Sequence, residues 1–468
     1  MSRFVCAQRL HFIGIGGAGM APIAEACLRR GFEVSGSDAR RADTTDYLGS
    51  LGCKVLIGHD EGNLQDADLV VCSSAISKDN PELLKALEMG RLIISRAELL
   101  ACLMKGSHSI ACAGTHGKTT TTAILGGILT SAARDPSVVL GGRSCGSTSN
   151  LRWGDGEDMV VEADESDGSF LCLPCKSIIV TSIDDDHLEY YGSMDRLIRS
   201  FLAFINSLGA DGLAVLCIDD ARIRDLLDFV EPPFVTYGRS RDADYRVEAV
   251  EFRDLATTFS LVLPDGRSVE ELSIAAPGVH YALNSAACCA LAREIGCDPT
   301  CFLPGLASYK GVERRFELLG STGDILVVDD YAHHPTEISA VIASAREAMP
   351  ERRIVVAFQP HRESRTELLA RSLARELLAA DRVYLLTIYK PICECDGAGN
   401  GAGGLEKMYC FLLDHGDLEV NLIQGEFSSH VPLIAESLKE GDCLLTLGAG
   451  SVTELGPMLL DFMKSENG

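Results

Sequence analysis

The sequence predicts an α/β chain of three domains, each built on a mostly parallel sheet. Three observations predict it. Short apolar runs alternate with helix-length segments from end to end, the pattern of strands joined by crossover helices. Two of those runs break into glycine-rich turns, one near the N-terminus and one after residue 113. The length of 468 residues suits about three hydrophobic cores.

The N-terminal domain is expected over residues 1–106. Residues 10–13 read as a buried strand, Gly14-Ile15-Gly16-Gly17-Ala18-Gly19 fits G-x-G-x-x-G, and residues 20–30 read as the helix that follows. The next apolar stretch, residues 32–36, leads to Asp38, about twenty residues beyond the last glycine, where an acid can hold a ribose hydroxyl. This unit suits a diphosphate-containing nucleotide, and NAD and a UDP-sugar present the same pyrophosphate and ribose. A strand over 67–72, a helix over 81–89 and a strand over 91–94 complete a Rossmann-like, doubly wound sheet.

The central domain, residues 107–316, opens on an apolar run followed by Ala113-Gly114-Thr115-His116-Gly117-Lys118-Thr119-Thr120 and a helix-compatible stretch. Strand, glycine-bracketed turn, Lys-Thr and helix in that order form an ATP or GTP phosphate cradle. Backbone N–H groups surround the phosphates, Lys118 reaches the β/γ oxygens, and the Thr119 hydroxyl is placed for Mg²⁺. The general P-loop pattern wants a glycine where Cys112 stands, so a tighter loop is expected. Glu162-Ala163-Asp164-Glu165-Ser166-Asp167 crowds four carboxylates at a strand end, a density that calls for a cation such as Mg²⁺. Asp184-Asp185-Asp186-His187 at the next strand end invites a second metal. From about residue 235 to 275, short alternating strands predict a small β-rich flap. Asn284, in the small-residue helix that follows, can meet an adenine edge.

The C-terminal domain, residues 317–468, carries buried strands over 325–330, 353–358, 382–386 and 443–447, giving a second Rossmann-like sheet. Two of them run into Asp329-Asp330-Tyr331-Ala332-His333-His334 and Gln359-Pro360-His361-Arg362-Glu363-Ser364-Arg365. Acid, imidazole and guanidinium on one sheet edge offer bidentate partners to a carboxylate-bearing substrate. Residues 396–404, rich in glycine, are expected to form a flexible loop. Gly311-Val312-Glu313-Arg314-Arg315-Phe316 lies at the domain's start, where an arginine can swing onto a phosphate.

Composition excludes several classes. Lys and Arg number 42 against 67 Asp and Glu, a net charge of −25, which repels nucleic acid and anionic membranes. No run approaches the about 18–20 apolar residues of a membrane helix. The glycine-rich loop begins too early for a secretory leader, so a cytoplasmic protein is expected. Eighteen cysteines are scattered like small buried hydrophobes in a reducing compartment. Cys172-Leu173-Pro174-Cys175 and Cys393-Glu394-Cys395 lack a second pair at zinc spacing.

Taken together and in order, HFIGIGGAGM, AGTHGKTTTT, EADESDGSF, DDDHLEYYG, GVERRFE, DDYAHHPTEI, FQPHRESRT and LTLGAGSV make the chain similar to the Mur ligases over nearly all its length. Within that family it resembles the members that join L-alanine to UDP-N-acetylmuramic acid with ATP, in peptidoglycan precursor synthesis. The resemblance implies domains for the UDP-sugar, for ATP and for the amino acid. It implies that Gly14, Gly16, Gly17, Ala18 and Gly19, with Asp38 and Ser73, hold the UDP-sugar rather than NAD. Gly114, Thr115, His116, Gly117, Lys118, Thr119 and Thr120 would hold ATP, with Asn284 at adenine, Asp330 at the ribose and Arg315 near the phosphates. Thr119 and Glu165 would bind one Mg²⁺ and His187 a second, with Mn²⁺ able to substitute. Tyr331, His333, His361, Arg362 and Arg365 would shape the amino-acid pocket, and Lys118, Glu165, His187, Arg315 and His333 would serve catalysis. Two departures stand out: Tyr281 replaces an Asn of the family's adenine motif, and Glu363 stands where a Tyr is usual. A sister ligase that adds a preformed peptide to the same carboxylate is the alternative, disfavoured by Gly17-Ala18 where those enzymes carry Gly-Thr. A nicotinamide dehydrogenase leaves Lys118 unexplained, and a non-catalytic nucleotide-binding regulator leaves the filled catalytic positions unexplained. Monomer and homodimer both stay open.

Overall fold

The computed structural model describes residues 7–390, 402–415 and 418–466. The chain forms two compact units. One comprises Met1–Ala249, Phe259–Ser273 and Leu283–Lys310; the other comprises Val250–Thr258, Ile274–Ala282 and Gly311–Gly468.

The first sheet of the first unit contains β1 (Arg9–Ile13), β2 (Glu33–Asp38), β3 (Lys54–Ile57), β4 (Leu69–Cys72) and β5 (Leu92–Ser95). Their order is β3-β2-β1-β4-β5, all parallel. Leu10, Phe12, Ile13 and residues 69–71 are fully buried, as strands covered on both faces require. The order reverses between β1 and β4, which opens a crevice beyond their C-terminal ends.

The second sheet contains β6 (His108–Ala113), β7 (Ser137–Val139), β8 (Leu151–Arg152), β9 (Asp158–Glu162), β10 (Ser177–Val180), β11 (Leu213–Cys217), β12 (Phe234–Gly238), β13 (Tyr245–Arg253), β14 (Ala256–Val262) and β15 (Ser268–Ile274). The order is β15-β14-β13-β12-β11-β10-β6-β9-β7-β8. The expected flap strands are thus hydrogen-bonded into the sheet's edge. Parallel β10, β6 and β9 are neighbours, so the phosphate loop and both acidic clusters emerge side by side.

The second unit carries β16 (Glu317–Thr322), β17 (Ile325–Asp330), β18 (Arg353–Phe358), β19 (Arg382–Leu386), β20 (Glu419–Ile423) and β21 (Asp442–Leu447), ordered β16-β17-β21-β18-β19-β20. All pairings are parallel except β16 with β17. One face packs Val328, Ile354, Val356 and Phe358 beneath the helices Pro335–Ala348 and Glu363–Leu377. The other packs Val327, Val355 and Tyr384 beneath Ile434, Leu455 and Leu459.

One expectation is corrected here. Gly403 and Gly404 are not in a flexible loop but in the first turn of the helix Ala402–Asp414. A Cβ on Gly404 would stand 2.9 Å from the backbone nitrogen of Glu367, so the glycine lets two helices approach closely. Residues 396–401, with Cys393 and Cys395, lie outside the described residues. No helix among the described residues is long and apolar enough to cross a membrane.

Candidate active site

The phosphate loop is built by glycine where nothing else fits. Gly114 has φ +129°, and a Cβ there would lie 2.1 Å from the Thr181 hydroxyl oxygen. Gly117, at φ +80°, precedes the helix Lys118–Ser131, whose first N–H groups face the loop. The Lys118 ammonium folds back to donate to the carbonyls of Gly114 (2.8 Å) and Thr115 (3.1 Å) and to Glu165 Oε1 (3.0 Å). Burial opposes its charge, but Glu165, Asp164 and Glu162 outweigh that and hold its pKa above the ordinary lysine value. Glu165 is 1% exposed, and burial together with Asp164 pushes its carboxyl upward against the pull of Lys118. Asp164 sits below the usual carboxylate range despite burial, because Lys118, Ser166 and Arg96 favour its anion.

Residues present here suit a divalent cation. Glu165 is a buried carboxylate whose Oε2 lies 2.8 Å from the Lys118 ammonium, with Asp164 and Glu162 adding negative charge around it. His187 Nε2 lies 4.0 Å from Glu165 Oε1 and 3.8 Å from Asp186 Oδ2. Thr119 is buried at the start of the same helix. His116 Nε2 meets Asp184 Oδ2 at 3.1 Å, tying the phosphate loop to the second acidic cluster. Asn284, 6% exposed, packs its amide against Gly117, so it borders the phosphate loop itself.

In the same unit, Gly14 and Ile15 donate to the Ser37 carbonyl, both at 2.9 Å, and Gly16 N–H donates to Asp38 Oδ2 at 2.9 Å. Asp38 therefore shapes this glycine-rich loop, and its other oxygen accepts from Arg40 N–H at 3.3 Å. Ser73 lies beside Gly14. Beneath Ser37, the fully buried Glu82 accepts from the Ser37 hydroxyl (2.7 Å) and Asn63 (2.7 Å) and meets His11 Nε2 at 2.9 Å. That network and two further residues escaped sequence reasoning. Arg96 packs on Gly19 and pairs with Asp164 at 3.3 Å, and Asn150 donates to the Ala18 carbonyl at 3.2 Å. No local pattern marks them, because each acts across elements far apart in sequence.

The second unit gathers the remaining expected residues. The ring centroids of Tyr331 and His333 are 5.2 Å apart, those of His333 and His361 6.0 Å, and His361 stacks on Tyr389 at 5.7 Å. Tyr389 was not foreseen; it follows β19 without a motif. Burial, then the charges of His333, Arg362 and Arg365, lower the His361 pKa to about 4. Arg362 caps the helix Glu363–Leu377 at φ +62°, and Arg365 lies in its first turn. Asp330 is buried, and burial raises its pKa to about 6 against the pull of Arg315. Its two oxygens accept from the backbone of Phe316 and Ala332, both at 2.7 Å, so here it fixes the turn that carries Arg315. Arg315 lies 5.3 Å from the Tyr331 ring centroid and 3.8 Å from Glu337. Both sequence departures have partners. The Tyr281 hydroxyl donates to the Arg315 carbonyl at 3.0 Å, and Glu363 pairs with Lys390 at 2.7 Å.

A sheet-edge Gly-Lys-Thr loop, an acid cluster beside its lysine and a separate G-x-G-x-x-G loop are the layout of a nucleotide-dependent transferase or ligase. Three family models match in order: the Mur ligase catalytic domain over residues 9–108, the Mur ligase middle domain over 112–292, and the Mur ligase glutamate ligase domain over 314–450. The UDP-N-acetylmuramate–L-alanine ligase of Trichlorobacter lovleyi is 43% identical over 97% of this chain and 98% of its own. The crystal structure of the UDP-N-acetylmuramate–alanine ligase of Thermotoga maritima is 29% identical, with a TM-score of 0.81 over 98% of this chain and 99% of that one. A murein peptide ligase from Psychrobacter arcticus, 23% identical with a TM-score of 0.70 over 97% and 98%, shares the fold. The chain belongs to the Mur ligase family.

Proposed function

We propose that this chain is the ATP-dependent ligase that joins L-alanine to the lactyl carboxylate of UDP-N-acetylmuramic acid, in cytoplasmic synthesis of peptidoglycan precursors. The observation that carries the reading is the bridge from Arg96, packed on Gly19 of the diphosphate loop, to Asp164 of the acid cluster beside Lys118. The bridge sets the two loops near each other, which supports a reading in which a sugar held by its diphosphate at the first loop reaches the γ-phosphate at the second. Full-length likeness to alanine-adding ligases, at 43% identity for one of them, favours this over the peptide-adding alternative, for which a Psychrobacter arcticus enzyme is 23% identical.

A carboxylate does not acylate an amine at neutral pH, so it must first be activated. The lactyl oxygen attacks the γ-phosphorus, the bond to the bridging oxygen breaks, and ADP leaves. Lys118 releases the loop carbonyls to meet the γ-phosphoryl oxygens, and Arg315 neutralises the same charge. Mg²⁺, held by Thr119 and Glu165 with a second ion at His187, would supply further charge neutralisation, and Mn²⁺ would serve in its place. The alanine amine then attacks the acyl carbon, the carbon–oxygen bond to phosphate breaks, and inorganic phosphate leaves. His333 Nδ1 lies 3.0 Å from the Tyr331 carbonyl and 3.3 Å from Glu337 Oε2, two acceptors that fix the proton on Nδ1, so that the basic lone pair of the neutral ring lies on Nε2 and can take the amine's proton. Arg362 and Arg365 grip the α-carboxylate.

The test is phosphate release and product mass with ATP, Mg²⁺ and a panel of UDP-sugars and amino acids. L-alanine with UDP-N-acetylmuramic acid should give one ADP per amide. A tripeptide outcompeting alanine would return the sister ligase to first place, and NAD binding without UDP-sugar binding would return the dehydrogenase.

A further inference from the structure

Arg314, next to the arginine assigned to the phosphates, faces a different task. Its backbone sits at φ +60°, a left-handed conformation that a non-glycine residue holds only when its surroundings impose it. The surroundings are three separate stretches of the second unit. Its carbonyl accepts from Tyr331 N–H at 2.7 Å, and its own N–H donates to Glu317 at 2.8 Å. Its guanidinium donates through Nε to Asp329 Oδ2 at 3.2 Å and through Nη2 to the carbonyls of Gly448 and, at 3.3 Å, Gly450. The guanidinium carbon also lies 4.9 Å from the Tyr331 ring centroid.

Asp329 is itself fully buried and anchored. Thr446 donates to its Oδ1 at 2.6 Å and Thr453 to its Oδ2 at 2.9 Å, fixing the two ends of the glycine-rich turn after β21. That turn abuts the histidine segment: a Cβ on Gly450 would stand 2.4 Å from the Tyr389 ring and 2.5 Å from Gln359 Oε1. One guanidinium therefore sets Tyr331 on one side and, through Gly448 and Gly450, the Gln359–Tyr389 side on the other. Only a planar fork can donate to a carboxylate and two carbonyls while laying its face on a ring; an ammonium cannot do all of this at once.

We propose that Arg314, held by Asp329, is the positioning residue that fixes the width of the amino-acid pocket between Tyr331 and the Gly448–Gly450 turn. This rests on the reading that Tyr331 lines that pocket. Arg314 touches no reacting atom; it acts through the residues it holds.

The experiment compares steady-state kinetics of the parent, Arg314→Lys, Thr453→Val and Tyr331→Ala. Thr453→Val removes one donor to Asp329 while leaving the arginine in place, and so covers the case in which Arg314→Lys fails to fold. Arg314→Lys should raise the KM for L-alanine by about 10-fold or more, as a misplaced pocket wall does. Its KM values for ATP and UDP-N-acetylmuramic acid should stay within about twofold, and its preference for alanine over glycine and serine should narrow. Thr453→Val should move the same two quantities in the same direction, by less. A merely structural arginine would lower kcat/KM for alanine, glycine and serine by one common factor, and that result overturns the proposal. If Tyr331→Ala leaves amino-acid preference unchanged, the pocket assignment itself falls. If it changes preference while Arg314→Lys and Thr453→Val do not, only the positioning role falls.

Discussion

Replacing Lys118 by alanine should separate catalysis from stability in one residue. The ammonium is 2.8 Å from Glu165, whose side chain is 1% exposed. At that distance and an effective dielectric of about 20, the attraction is about 6 kcal/mol, part of which is offset by the desolvation of both groups. Removing one partner of such a buried pair typically costs about 3–5 kcal/mol, because a charge is left uncompensated. Lys118→Ala should therefore lower the melting temperature by about 10 °C. It should also lower ligation by at least about 10²–10³-fold, since a preorganised charge at the γ-phosphate is lost. UDP-sugar binding should persist, because the diphosphate loop lies on another sheet. The stability loss has a pH signature. Burial already raises the Glu165 carboxyl above its ordinary value of 4.5, and without Lys118 it rises further. An acid whose folded pKa is raised holds more protons folded than unfolded, so it costs nothing below pH 4.5 and progressively more as pH climbs above it. Lys118→Ala should thus melt nearer to the parent in acid, and adding Glu165→Gln should recover most of the lost melting temperature at neutral pH without recovering activity. Calorimetry, isothermal titration with the UDP-sugar and a phosphate-release assay read all of this. Turnover within about 10-fold of the parent, or activity returning with stability in the double variant, would refute the phosphate-cradle assignment.

Three further outcomes follow from the same geometry. His187→Ala should raise the Mg²⁺ concentration needed for half-maximal activity more than it weakens UDP-sugar binding, and superimposable metal titrations would make His187 structural. Tyr331→Ala should admit larger amino acids with little change in the KM for ATP; glutamate remaining excluded from the enlarged site would count against the side-chain role. His361, with its pKa lowered to about 4, binds fewer protons folded than unfolded between pH 6.5 and 4, so it favours folding above that window and withdraws stability as pH falls through it. His361→Gln should therefore flatten the acid limb of a melting-temperature profile, and an unchanged limb would place the acid sensitivity elsewhere.

The parallel sheets and the loops at their strand ends were legible because they are local. Buried strands read as apolar runs, and the glycine pattern marks the turns whose backbone is left-handed at Gly114 and Gly117, although the groups that crowd those glycines, Thr181 and Asn284, lie far along the chain. What stayed hidden depends on contacts between distant segments. The sequence of residues 235–275 reads as a flap because alternation reveals strands but not the edge they join. Gly403 and Gly404 read as a loop because composition does not disclose that Glu367 lies against them. Glu82 looks like an ordinary residue of a helix's first turn, yet it is buried with His11 beneath Ser37, whose carbonyl orders the diphosphate loop.

The two departures from the family pattern show the same division from the other side. A motif comparison sees Tyr281 as a lost adenine contact. In the fold its hydroxyl holds the Arg315 carbonyl, while Asp330 holds the next N–H, at Phe316. Arg315, the arginine proposed to meet the phosphates, is thus fixed through its backbone at two successive positions, and its guanidinium lies over Tyr331 beside Glu337. Glu363, read as a change in selectivity, spends its charge on Lys390 at the start of the helix that presents Arg365. In both cases a residue type that departs from the motif serves the motif's geometry, and the groups it supports, Arg315 and the helix start that carries Arg365, are ones the motif specifies.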